Sequence, residues 1–204
     1  MSNLEEIRKQ NQKTIIMLLL AFIVPVLAAY LVYFNMESAS NTNNNGELIV
    51  PPRPVEEVSL QTSTGENFDE QKLKGRWHLV YIGKGSCDSI CKDRLSTMHQ
   101  TRMGQGKEMS RVGLLYISTE DVSKNVADDL QQKFSRLTVL TGRKEQTNKI
   151  LKLFKTDATS NIMEDNFIFM IDPLGNLMMR YKKDVRLIGI IQDLEHLLKV
   201  SHIG

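Results

Sequence analysis

The run Trp77-His78-Leu79-Val80-Tyr81-Ile82-Gly83-Lys84-Gly85-Ser86-Cys87-Asp88-Ser89-Ile90-Cys91 holds both cysteines of the chain and its sharpest change of periodicity. Six mostly apolar residues, Trp77 to Ile82, end at the pair Gly83 and Gly85, which reads as a buried strand closing in a turn. From Cys87 to about Met103 the composition is helical, with Ile90, Leu95 and Met98 at helix-like spacing. Both cysteines therefore fall where a strand gives way to a helix.

The same alternation continues downstream. Val112 to Ser118 is a second buried strand, and a helix is predicted from about Ser123, a possible N-cap, to Phe134. Leu137 to Leu140 is a short strand. Lys144 to Phe154 is a helix with Ile150, Leu151 and Phe154 on one face. Phe167–Ile171 and Leu177–Tyr181 flank Asp172-Pro173-Leu174-Gly175-Asn176 as a β-hairpin around a proline-and-glycine turn. A last helix, about Arg186 to Lys199, carries Leu187, Ile188, Ile191, Leu194 and Leu198 on one stripe. The order β-α-β-α-β-α-β-β-α implies a largely parallel sheet with helices on both faces and an antiparallel pair at its end. The expected class is α/β, a thioredoxin-like three-layer domain.

Upstream, no residue from Thr14 to Met36 carries a charge, which is long enough for a helix to span a bilayer. Pro25 sits mid-span, where a kink is tolerated, and Tyr30, Tyr33 and Phe34 gather at the far end as an aromatic belt would. Arg8, Lys9 and Lys13 precede the run, and after it no basic residue comes before Arg53. The positive-inside rule then keeps residues 1–13 in the cytoplasm as a tail and places the rest outside. The apolar run is longer than a signal-peptide core and has no clear Ala-x-Ala site behind it, so an uncleaved anchor is expected. Residues 37–57, with an asparagine run and Pro51-Pro52-Arg53-Pro54, read as a flexible, partly extended linker. The extracytoplasmic domain is then 58–204.

The whole chain of 204 residues is 41% hydrophobic and 25% charged with a formal charge of +2. This excludes wholly disordered, collagen-like and disulfide-dense classes, and the near-neutral balance lacks the basic footprint of a nucleic-acid binder. The chemistry rests on Cys87 and Cys91. Spacing of i, i+4 puts both sulfurs on one helical face, with Cys87 near the positive end of the helix dipole and Lys84 and Lys92 close by. Such a pair has three uses. Two thiolates and one further donor suit Cu(I). An exposed low-pKa thiol beside a resolving cysteine suits disulfide exchange with a partner. An inert bridge is the third, although so short a loop constrains little chain entropy. Four-ligand zinc spacing is absent.

Leu73-Lys74-Gly75-Arg76-Trp77, the Cys-x-x-x-Cys pair, Tyr116-Ile117-Ser118, Leu140-Thr141-Gly142 with Glu145-Gln146, and Ile171-Asp172-Pro173-Leu174-Gly175 occur in that order. Together they resemble the Sco/SenC family of membrane-anchored thioredoxin-fold copper chaperones, over about residues 58–200. The resemblance implies a Sco/peroxiredoxin-type fold in a bacterial inner membrane, with the domain in the periplasm. It also implies a role in assembling the copper centre of cytochrome c oxidase, with an oxidase subunit or another assembly factor as partner. The alternatives are a thiol–disulfide oxidoreductase on an assembly partner and a scaffold without chemistry. Two departures stand out. Prolines usually follow each cysteine in that family, and here Asp88 and Lys92 do. The family's third ligand is a histidine before the Asp-Pro turn, and Ile162-Met163-Glu164-Asp165-Asn166 has none. Met163 is the candidate replacement, against a packing role. Asn45-Gly46-Glu47-Leu48 together with Asp193-Leu194 resembles a subgroup of small transmembrane proteins encoded with proteobacterial oxidase assembly factors.

Other candidates carry less. His78 lies in a central strand and faces either toward or away from the cysteines. His99, His196 and His202 have no partner in the sequence. Met17 belongs to the anchor, Met170 to the core, and one of Met178 and Met179 must face outward. Asp172 is explained as a turn residue.

Overall fold

The computed structural model describes residues 2–36, 44–56, 59–156 and 161–201. The chain forms two compact units, one up to Asn43 and one from Asn44 onward. The first contains one helix, α1 (Ser2–Met36), which continues through Pro25. Within it Asn11–Leu31 is long and apolar enough to cross a membrane, and none of that stretch is buried. The charged residues expected as a tail extend this helix toward the N-terminus.

The second unit is built on one eight-stranded sheet. Its elements are β1 (Glu47–Pro54), β2 (Ser59–Thr62), β3 (Asn67–Asp69), β4 (Trp77–Gly83), α2 (Ser89–Gly104), β5 (Val112–Ser118), α3 (Lys124–Lys133), β6 (Leu137–Thr141), α4 (Lys144–Phe154), α5 (Ile162–Asp165), β7 (Ile168–Ile171), β8 (Asn176–Tyr181) and α6 (Leu187–Val200). The strand order is β1-β8-β7-β4-β5-β6-β2-β3. β4, β5 and β6 are parallel, and β7 and β8 run antiparallel to their neighbours. From β4 onward this is the predicted order with the short α5 added.

Every residue of β4 is buried, as a central strand covered on both faces requires. Its alternate residues divide between two cores. Trp77, Leu79 and Tyr81 join α2 and α6 residues such as Leu95, Met98, Ile190 and Leu194. Val80 and Ile82 join Ile150 and Phe154 of α4 and the apolar residues of β1, β2 and β3. In β8, Met179 is buried and Met178 half-buried, and Met170 is fully buried in β7.

The expected linker 37–57 requires correction over its second half. Glu47–Pro54 is the edge strand β1, paired antiparallel with β8, and it belongs to the same unit as the rest of the domain. Proline is tolerated there because an edge strand needs ladder donors on one side only. The register shifts between Leu48 and Arg53, so the proline segment is accommodated by an irregularity in the pairing. The domain therefore starts near Asn44 instead of at residue 58. Arg53 Nη1 donates to the carbonyls of Leu153 (3.0 Å) and Lys155 (2.7 Å), satisfying free carbonyls at the end of α4.

Candidate functional site

The site begins where β4 ends. The Cys87 N–H donates to the Lys84 carbonyl (3.0 Å), closing a turn. Gly85 sits in that turn under a close approach, because a Cβ there would lie 2.1 Å from the Asp121 carbonyl oxygen. The Tyr116 hydroxyl also donates to the Lys84 carbonyl. Cys87 has φ 41°, the left-handed region that costs most L-residues energy. That conformation turns the chain into α2, whose N-cap is Asp88. The Asp88 carboxylate accepts the Cys91 N–H at 2.9 Å.

Cys87 therefore lies before the helix and Cys91 in its first turn. The turn, not a shared helical face, brings them together. Their Cα atoms are 5.1 Å apart and the two sulfurs are joined as a disulfide. Both residues are buried, at 1% and 2% exposure, among Leu79, Tyr81, Leu95 and Tyr116. The accessible thiol expected from the sequence is thus covered in the oxidised protein.

The electrostatics also differ from expectation. Lys84 is exposed, and Lys92 reaches Asp129 at 4.0 Å. Arg94, one turn beyond Cys91, is the buried cation of α2 nearest the cysteines in sequence. Its Nη2 donates to the Lys183 carbonyl (3.2 Å), while Nε and Nη1 have no partner. Burial lowers its pKa, which Tyr81 and Asp93 partly oppose. The Tyr81 hydroxyl is pushed up to about 12 by burial, with the charge of Asp88 adding to the shift. It donates to Asn166 Oδ1 at 2.8 Å, and Asn166 Nδ2 donates to the Glu164 carbonyl. Asn166, at φ 52°, ends α5 and carries the link from the loop to β4.

The other candidates fall elsewhere. Met163 packs against the core that contains Val80 and Ile82, whereas the cysteines lie in the other core. His78 alternates with Trp77 and Leu79, so it faces away from the cysteine side of β4. His99 approaches Ser135 Oγ at 3.3 Å and packs on Phe134. His196 is exposed, and His202 lies outside the described residues. Asp172 caps its own turn, accepting the N–H groups of Leu174 and Asn176. Among the described residues no three His, Cys, Asp or Glu side chains gather into a metal-binding group. The donors present are two soft sulfurs, which fit Cu(I) in type but leave any third ligand to come from elsewhere. Arg94, Tyr81 and Asn166 escaped the sequence reading, because only the fold brings these polar groups to the cysteine side of β4.

A family profile described as "Transmembrane-like, thioredoxin-like, C-terminal domain" matches residues 77–201, more than half of the chain. The chain belongs to this family. Its relatives include Sco proteins. A Stutzerimonas stutzeri protein provisionally named for copper binding is 24% identical over 201 residues, covering 92% of this chain and 95% of its own length. A SCO2-like protein of Rickettsia typhi is 26% identical over 148 residues, 64% of this chain and 70% of its own. Yeast Sco1 with copper bound superposes at TM-score 0.63 with 18% identity, covering 74% of this chain and 95% of that one. BsSco, from a family of cytochrome c oxidase assembly proteins and described with a disulfide switch, superposes at 0.60, with 18% identity and coverage of 74% and 96%. At these identities the solved structures establish the thioredoxin-like fold.

Proposed function

We propose that this is a membrane-anchored accessory protein for building the copper site of cytochrome c oxidase, acting through Cys87 and Cys91. The carrying observation is that the only two cysteines of the chain meet as a bonded pair at the β4–α2 junction. Copper is cargo in this reading. A partner dithiol reduces the disulfide, giving up two electrons and two protons and itself becoming a disulfide; the two thiols then release their protons to solvent and hold one Cu(I) as thiolates. Likeness to a protein named for copper binding and to copper-bound Sco1 supports it. The helix α1 anchors the domain, with the N-terminus cytoplasmic and the domain periplasmic by the positive-inside rule. Tethering raises the effective concentration of the domain near a membrane-bound client.

The reduced full chain in detergent is expected to retain about one Cu(I) against a mild chelator. Cys87→Ser and Cys91→Ser each abolish retention. Loss of all copper from the reduced wild type to that chelator overturns the reading.

Among the described residues no further His, Cys, Asp or Glu gathers with the pair into a metal-binding group, which favours a second reading, exchange with an assembly partner. There a partner dithiol becomes a disulfide while Cys87 and Cys91 gain its two electrons and two protons. A reduction potential between about −120 and −270 mV supports exchange, and one below about −300 mV marks a structural bridge.

A further inference from the structure

At the end of the parallel strands remote from the cysteines lies a cavity of about 400 Å³, within the size range of small-molecule sites. Its lining includes Lys72, Lys74, Arg76, Arg102, Arg136 and His78, and no aspartate or glutamate. The five cations come from separate places: the segment before β4, the end of α2 and the turn before β6. Among the described residues none of Lys74, Arg76 and Arg136 forms an ion pair. Arg102 is held almost fully buried by a hydrogen bond from Nε to the Val112 carbonyl (3.0 Å). Burial lowers its pKa, and the charges of Arg136 and Arg76 lower it further, so the three guanidinium fields overlap.

His78 is the second, independent observation. It is 5% exposed, and both ring nitrogens are buried without a hydrogen-bond partner. The Leu73 backbone lies near enough to the ring to favour its protonation, though neither nitrogen reaches it at full hydrogen-bond geometry. Across the strand pair Gly113 makes room for the ring, since a Cβ there would fall 2.4 Å from Nδ1. A buried imidazole whose nitrogens lack hydrogen-bond partners destabilises the folded chain. Unneutralised cations around one cavity repel each other as well. A bound anion would relieve both costs, and guanidinium forks match phosphate oxygens in pairs.

We propose that this cavity binds a compact multivalent oxyanion of the phosphate class, clamped by Arg76, Arg102 and Arg136, with His78 as an N–H donor at its floor. The site is independent of the cysteine chemistry. The ligand is either a free phosphate compound or an anionic lipid headgroup, which present the same oxygens.

The test uses the full chain at low ionic strength. Inorganic phosphate and pyrophosphate are titrated into the protein in neutral detergent, and the His78 ring is followed by NMR. Saturable binding is expected, together with a rise of the His78 pKa from about 4 by about one unit or more. Arg76→Gln and Arg136→Gln, on exposed side chains, should each weaken binding about tenfold, while Lys144→Gln on α4 leaves it unchanged. A free compound is the source if phosphate acts alike in detergent and in phosphatidylcholine nanodiscs. A headgroup is the source if phosphatidylglycerol nanodiscs shift His78 without added phosphate. The proposal is overturned if neither probe shifts His78, or if Lys144→Gln weakens binding as much as Arg76→Gln.

Discussion

Asp88 sets the character of the cysteine pair. As N-cap it stabilises α2, yet its carboxylate places negative charge at the helix end where a thiolate would otherwise be favoured. Asparagine caps equally well without the charge. Asp88→Asn should therefore lower the thiol pKa and make the disulfide easier to reduce, raising its potential by about 10–20 mV. Equilibration with glutathione buffers measures this, and an unchanged potential would mean that the carboxylate charge does not reach the sulfurs. Gly85 is a second sensitive residue. A Cβ cannot fit 2.1 Å from the Asp121 carbonyl, so Gly85→Ala should cost about 1–3 kcal/mol by thermal unfolding, because backbone must move on both sides.

At the scale of elements, β1 is the strand whose attachment most needs explanation. The buried Asp193 carboxylate on α6 accepts the N–H groups of Asn45 (3.0 Å) and Gly46 (2.9 Å) and the Asn45 side-chain amide (2.9 Å). The two fragments Asn45–Leu48 and Asp193-Leu194, separated by almost the whole domain, thus meet and fasten the start of β1. Asp193→Ala leaves buried donors unpaired and should cost about 2–4 kcal/mol in urea unfolding. Amide exchange should show β1 and β8 opening first, and equal loss of protection across the sheet would count against a local strap. Glu47 adds an acid-sensitive link. Burial raises its pKa, but hydrogen bonds and charge from Lys182 and Arg180 more than offset this, so it lies below the usual value. Its contribution is present above the ordinary glutamate pKa and is lost as pH falls through the folded value. Glu47→Gln should flatten that part of the acid unfolding curve.

For the molecule as a whole, His78 governs stability in mild acid. Burial, opposed by the Leu73 backbone and aided by Arg76, lowers its pKa from 6.5 to about 4. Between those values the unfolded chain binds a proton that the folded chain refuses, so stability falls as the pH drops from about 6.5 to about 4. The full loss is about 3 kcal/mol. His78→Gln should remove this slope in denaturant titrations at successive pH values. The copper-site role proposed above requires that, in cells, a chain carrying both Cys87→Ser and Cys91→Ser leave the oxidase short of copper. Normal oxidase assembly in that strain would leave the domain as a scaffold.

The long apolar N-terminal helix, the alternation from β4 to α6, the Asp-Pro-Leu-Gly turn and the pairing-competent cysteines were all readable along the chain. Each rests on local information: an uninterrupted apolar run, a period of two or 3.6, or spacing within one turn. What the tertiary structure alone decided was partnership. A proline-rich segment became an edge strand because β8 offered it a neighbour. His78 and Met163 were assigned away from the sulfurs by strand alternation and core packing. The cysteines were sealed by surrounding side chains, and scattered basic residues converged on one cavity. Burial and long-range pairing depend on which surfaces meet, and no window of sequence contains both surfaces.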